Sequence, residues 1–337
     1  MIKKLLSLLL FFLMISFAGY LYLVSKTDRY LTQSLSINEP QLITITSGTS
    51  LNGTLALLVK KGWIEDHFTA KLLRRLHPEL TKIKAGTYQL VPKMSLQQSL
   101  ALFVSGREFQ FSITFVEGSR FSDWREVLAN TPELRQTIRD LSEADIAQRL
   151  GIKHQQLEGL FLAETYHFTK GEVDVEILKR AHHKLNQTLA KAWENRQPNL
   201  PLQSPYEALI LASIIEKETA IDAERERVAS VFINRLNKRM RLQTDPTVIY
   251  GMGERYNGRI GKADLREPTA YNTYVINGLP PTPIAMAGEA SIYAAINPEQ
   301  SDYLYFVASG QGDHVFSKTL TEHNRAVRAY LKQLRNQ

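Results

Sequence analysis

The longest apolar run in the chain comes first. Leu5 to Val24 holds 20 residues without a charge, about the length a helix needs to cross a bilayer. Tyr20 and Tyr22 stand near its outer end, where aromatic side chains favour a membrane–water interface. A cleaved signal peptide is the competing reading, but its apolar part spans only about 7–15 residues before a small-x-small site. This run is longer, and Phe17-Ala18-Gly19-Tyr20 is a poor cleavage site, so an uncleaved anchor is expected. Lys3 and Lys4 flank it on one side, Lys26 and Arg29 on the other. The free amine tips the balance towards a cytoplasmic N-terminus, with the rest of the chain outside.

Residues 25–40 are polar without clear periodicity and read as a tether, with a flexible reach of about 20 Å. The alternation of Leu42-Ile43-Thr44-Ile45-Thr46 predicts a strand. A helix to Lys61 and Gly62 follows, then a second over about 66–76. A turn leads into a strand at 83–90, and Ser95 with Gln98 caps a helix from Leu96 to Val104 that stops at Gly106. Together these make a small α+β module over 41–108. At 109–115, phenylalanines and Ile113 alternate with polar residues as a new strand. Ser142 caps a helix ending at Gly151, residues 157–166 read as strand and turn, and a long helix covers about Val173 to Asn195.

Next comes Ser204-Pro205-Tyr206-Glu207, a helix start with a capping box and Pro at the first position. Leu209 to Ile215 holds one polar residue, Ser213, so this helix is apolar on all sides and is expected in a core. It then meets two carboxylates, Glu216 and Glu218. Asp222 is expected to cap the following helix, whose apolar stripe is Val228, Val231, Phe232 and Leu236. From Met240 to Phe316 the chain is rich in Gly, Pro, Asn and Tyr, and short strands and loops are expected to form one wall of a cleft. A polar helix closes the chain over 320–334. The class is α+β, with a helical and a strand-and-loop part in the larger domain, 109–337.

With 337 residues, 44% hydrophobic and 22% charged, the composition is that of an ordinary globular protein. There is no cysteine, which excludes thiol catalysis and Cys-type zinc sites. The net charge of +7 favours anionic surfaces such as lipid headgroups or wall polymer. Nucleic acid is not expected as a partner, because no basic-aromatic motif accompanies the charge. There is no phosphate loop, H-E-x-x-H or G-x-S-x-G motif. The histidines are scattered, so neither metal nor cofactor is expected.

Carboxylates are rarely buried without a partner or a task. Glu218 follows Leu211 and Ile214 at helical spacing, near the helix C-terminus. Burial and the negative end of the dipole both push its pKa up, as a general acid at neutral pH requires. The structural alternative pairs it with Arg225, Arg227 or Arg235, and periodicity alone does not choose between Glu216 and Glu218. A second cluster reads as a strand that aligns Gln243, Asp245 and Thr247 on one face beside Tyr250, suited to hydrogen-bonding a sugar. A third places Asn272 and Tyr274 in Pro-rich loops of the kind that wall a saccharide cleft. Polar edge strand and structural loop are the respective alternatives.

Glu216-Lys217-Glu218-Thr219, Leu242-Gln243-Thr244-Asp245-Pro246-Thr247-Val248, Tyr271-Asn272-Thr273-Tyr274 and Gly278-Leu279-Pro280-Pro281 occur in the order and spacing of the endolytic murein transglycosylases. The chain resembles this MltG or YceG-like family over nearly its whole length. It departs from the usual motifs at Ala270 and Ala287, where prolines are common, and at Glu164, where Asp is common. The resemblance implies that residues 41–108 are a LysM-like peptidoglycan-binding module and that Glu218 is the catalytic acid. It also implies cleavage of the MurNAc-GlcNAc bond in nascent glycan strands with 1,6-anhydro ends, setting strand length beside peptidoglycan synthases (penicillin-binding proteins) at the inner membrane. Two other readings stay open: a hydrolase in which Asp245 or Glu164 is a second carboxylate, and a non-catalytic wall-binding scaffold.

Overall fold

The computed structural model describes residues 2–335. Met1, Asn336 and Gln337, parts of the expected 1–4 tail and 109–337 domain, lie outside the described residues. The chain forms two compact units that meet at Phe111 and Ser112, three residues beyond the boundary read from the pattern.

The first unit begins with helix α1, Ile2–Thr32. Its apolar stretch is exposed up to Tyr22, with Leu23 and Val24 half-buried, and is long and apolar enough to cross a membrane, a test a signal sequence also passes. The helix does not stop at Val24, and the tether expected over 25–40 is not free chain. Thr27, Tyr30 and Leu31, one face of the helix at i, i+3 and i+4, are buried, and Leu35 and Ile37 follow them into the core. The polar residues between them hide this period in the sequence. Strand β1, Gln41–Ile45, pairs antiparallel with β2, Gly86–Leu90. Between them lie α2, Leu51–Lys60, a 3-10 turn over Phe68–Leu72 running into α3, Leu73–Leu76, and a second turn, Pro78–Thr81. Helix α4, Leu96–Ser105, has the full Ser95–Gln98 capping box and ends on left-handed Gly106. Tyr88, Leu90, Leu100 and Phe103 are completely buried in this unit's core.

The second unit is mostly helical. Strand β3, Phe111–Thr114, pairs with β4, Thr165–Phe168, shorter than the alternation at 109–115 and later than the strand expected at 157–166. Helices α5, Phe121–Ala129, and α6, Glu143–Leu150, lie between them, with Ser142 and Gly151 as the expected caps of α6. Then come α7, Asp174–Glu194, α8, Pro205–Glu218, and α9, Asp222–Asn237. The 240–316 region lines a cavity with loops and a short-strand hairpin, as expected, but is more helical than its composition suggests. It contains α10, Asp245–Met252, two 3-10 turns at Gly253–Arg255 and Asp264–Arg266, and α11, Glu289–Ile296, before a hairpin of β5, Tyr305–Ala308, and β6, His314–Ser317. Helix α12, Leu320–Arg335, closes the unit.

Helix α8 is the axis of this unit, with α7, α9, α10 and α11 packed around it. Every residue from Ala208 to Ile215 is buried, as a helix without a polar face requires. Ser204 accepts from the Glu207 backbone N–H at 3.3 Å, while the Glu207 carboxylate reaches Gln203 N at 2.6 Å, one residue beyond the reciprocal position of a capping box. Asp222 does not cap α9. Ile221 takes that position, and Asp222, the first helical residue, pairs with Arg225.

Ser213, the one polar side chain inside α8, donates to Ile210 O at 2.7 Å and accepts from Ile284 N at 3.0 Å. It ties the 284–287 segment to the helix. Replacing Ser213 by Ala leaves a buried N–H without an acceptor, so Ser213→Ala should lose about 1–3 kcal/mol of stability. A urea midpoint equal to wild type would show that the bond contributes nothing.

Candidate active site

Glu218 is the last residue of α8, and Thr219 turns the chain into extended conformation immediately after it. Thr219 accepts from Ile221 N at 3.0 Å, which holds the tight turn into α9. The Glu218 side chain is thereby delivered at the negative end of the helix onto a cavity of about 350 Å³. Gln243, Thr244, Asp245 and Tyr274 line the same cavity, together with Arg235, Tyr305 and His323.

Thr244 donates its hydroxyl hydrogen to Glu218 Oε1. A buried threonine net fixes Thr244 in turn: its N–H donates to Thr273 Oγ1 at 3.0 Å, and Thr247 Oγ1 donates to Thr244 O at 2.7 Å. The Thr247 and Thr273 hydroxyls meet at 2.8 Å. Tyr274 donates to Asp245 Oδ1 at 2.7 Å. Arg235, 8% exposed, spends Nε on Leu304 O at 2.6 Å and Nη1 on Leu242 O at 2.8 Å. Its guanidinium carbon lies 5.1 Å from the centre of the Tyr305 ring, which stacks on His323 at 5.2 Å.

Burial is the main force on Glu218 and drives its pKa up to about 7, with the Asp245 charge adding to the rise. The Thr244 hydrogen bond, His314 and Arg235 pull the other way. No salt bridge is formed by Glu218 among the described residues. Its neighbour Glu216 accepts from Gly288 N at 3.0 Å and lies 3.8 Å from Arg225, so it serves the fold. Arg227 pairs with Glu299.

The residues expected to bind substrate separate into two groups. Gln243, Asp245 and Tyr274 stand at the cavity with Glu218. They are not on a strand: Asp245 opens α10 with Pro246 in its first turn, and Gln243 has φ 47°. Proline would break a strand ladder but fits the first helical turn, so the alternation at 242–248 misleads. Thr247 is completely buried, and its hydroxyl belongs to the threonine net. Asn272, 1% exposed, donates to Asp264 O and Glu267 O and accepts from Tyr274 N, folding the loop that carries Tyr274. Tyr250 lies elsewhere, under Arg120 at 5.2 Å and edge-on to Tyr271 at 4.7 Å. Glu164 pairs with Lys184 and is not on the cavity wall.

Thr244, Tyr305 and His323 were not expected in the site, and Arg235 only as an ion-pair partner of Glu218 in the structural alternative. Arg235 carries the clearest signal in hindsight, because it falls inside the apolar stripe of α9 between Phe232 and Leu236. The hairpin that brings Tyr305 and the closing helix that brings His323 are far away in sequence and leave no local mark.

A raised carboxyl pKa links the site to stability. The folded chain binds the Glu218 proton more tightly than the unfolded chain, so stability falls as pH rises from about 4.5, the ordinary value, to about 7. Gln has no proton to lose. Glu218→Gln should therefore gain on wild type in urea unfolding across that window and hold the gain above it; a difference constant with pH would mean an ordinary pKa.

The model of the YceG-like family matches residues 43–329. A Bacillus subtilis (strain 168) protein named "Endolytic murein transglycosylase" is 33% identical over 307 residues, covering 86% of this chain and 84% of that protein. A Streptococcus pneumoniae (serotype 2, strain D39) protein of the same name is 24% identical, and the match covers 98% of this chain but 65% of the relative. Among solved structures, a YceG-like protein from Listeria monocytogenes superposes with a TM-score of 0.50 at 31% identity, over 86% of this chain and 99% of that one.

Proposed function

The chain belongs to the YceG-like family, and from that premise we propose that it is a lytic transglycosylase that cleaves the β-1,4 bond between MurNAc and GlcNAc inside peptidoglycan strands. The observation that carries this reading is the placement of Glu218 on the cavity at the end of α8, with a hydroxyl donor on its carboxylate and burial pushing its pKa up to about 7. The neutral acid gives its proton to the glycosidic oxygen as the C1–O bond breaks. The resulting carboxylate, held by Thr244, takes the proton of the sugar's own C6 hydroxyl as that oxygen closes on C1. The product is a 1,6-anhydro ring, the proton returns to Glu218, and no water is consumed. One carboxyl group near neutrality suits both halves. Gln243, Asp245 and Tyr274 are proposed to bind the sugars. Thr247 and Asn272, both buried, are proposed to support these three, and Tyr250, which is not on the cavity wall, to act outside it.

The wider setting is part of the same proposal. α1 anchors the protein in the inner membrane with the N-terminus in the cytoplasm. The unit after it acts as a LysM-like module on peptidoglycan, and the enzyme terminates growing strands beside peptidoglycan synthases. Asp245 supports a second reading, since a carboxylate on the same cavity is what a hydrolase would use to activate water.

The test is mass spectrometry of glycan strands treated with the full protein and with Glu218→Gln. Anhydro ends, one water lighter than hydrolytic ends, should form with wild type and fall at least ~10²-fold with the variant, the usual scale for losing an acid–base group. Hydrated ends would replace the proposal by hydrolysis. Equal products from both proteins would remove Glu218 from the chemistry.

A further inference from the structure

The most informative unassigned surface lies where α1 enters the first unit. The inference drawn from it rests on the reading of α1 as a membrane-spanning helix. Leu23 and Val24 are already half-buried, and Thr27, Tyr30 and Leu31 are buried. The unit therefore packs against the helix from the last residues of the apolar run onward, with no free chain between. At a rise of 1.5 Å per residue, Thr27 lies about 5 Å and Tyr30 about 9 Å beyond Val24. The headgroup layer on each side of a bilayer is about 5–8 Å thick. Whatever covers α1 at these positions stands in that layer or directly upon it.

The segment that covers it is residues 67–77. His67 stacks on Tyr30 at 5.6 Å, His77 Nε2 lies 3.2 Å from Asp28 Oδ1, and the Phe68–Leu72 turn packs on α1. This segment presents Phe68, 59% exposed, together with exposed Lys71, Arg74 and Arg75. Its ion pairs among the described residues both belong to His77, to Asp28 and Glu79, and Lys71, Arg74 and Arg75 form none, although the exposed carboxylates Glu65, Asp66 and Glu79 flank the segment. An exposed aromatic beside unpaired cations, at headgroup depth, has the chemistry of an interfacial lipid contact.

We propose that Phe68, Lys71, Arg74 and Arg75 form a foot that binds acidic phospholipid headgroups and fixes the first unit in one pose on the membrane surface. A flexible tether would let that unit wander; a helix embedded in its core and a lipid-bound foot beside it do not.

The chain has no cysteine, so a nitroxide on Phe68→Cys reports on that position alone in the full protein reconstituted into vesicles. The accessible ratio of oxygen to a water-soluble nickel chelate measures depth. The ratio should be several-fold higher in vesicles containing phosphatidylglycerol than in phosphatidylcholine alone. It should drop to the phosphatidylcholine value when Lys71, Arg74 and Arg75 are changed to Glu. A label on Leu21→Cys should read as lipid in both. Equal ratios at residue 68 in the two lipids, with Leu21 in lipid, would overturn the foot while leaving the anchor standing. A water-exposed label at Leu21 would overturn the anchor and the foot with it.

Discussion

Withdrawing water from one carboxyl group is the constraint on which the proposed chemistry of the second unit depends. Glu218 ends a helix whose whole interior stretch is buried, and desolvation is the largest force raising its pKa. Thr244, Arg235 and His314 each favour the charged form, and Asp245 opposes it. The balance near 7 leaves the two protonation states close in energy, which is what a group needs if it is to give a proton and then take one. Glu216, two positions earlier on the same helix, shows the contrast. Gly288 N and Arg225 commit it to architecture.

That balance requires geometry held to within a hydrogen bond. The scaffold supplies it by over-determining Thr244, whose backbone and neighbours are locked through Thr247 and Thr273. Asn272 does the same for the Tyr274 loop with three hydrogen bonds from one buried amide. Arg235 joins α9 to the hairpin and to the segment before α10 through carbonyls, rather than through a salt bridge to Glu218. A direct ion pair would lower the glutamate pKa and remove its use as an acid. The motif residues are thus divided between those that face the cavity and those that hold the first group still.

Much of this was legible in the residues. The burial of α8 and the arrival of Glu218 at its C-terminus follow from an apolar stretch without a polar face and a carboxylate at its end. The caps of α4 and α6 were also plain, because a cap is a local contract between residues three apart. What failed was non-local or ambiguous in period. The 242–248 alternation gave a strand, while Pro246 and the left-handed Gln243 make a helix start. The 25–40 segment gave a tether, because the buried face of Thr27, Tyr30 and Leu31 is only three residues wide. Tyr305 and His323 reach the cavity from the hairpin and the last helix, a placement that only tertiary packing decides.

The most direct measurement is the protonation of Glu218 itself, read as the ¹³C carboxyl shift of the labelled side chain across pH, with Glu218→Gln identifying the resonance. A midpoint near 7 is expected. A midpoint near 4.5, the ordinary glutamate value, would mean that the group is charged at neutral pH and cannot be the acid that opens the glycosidic bond.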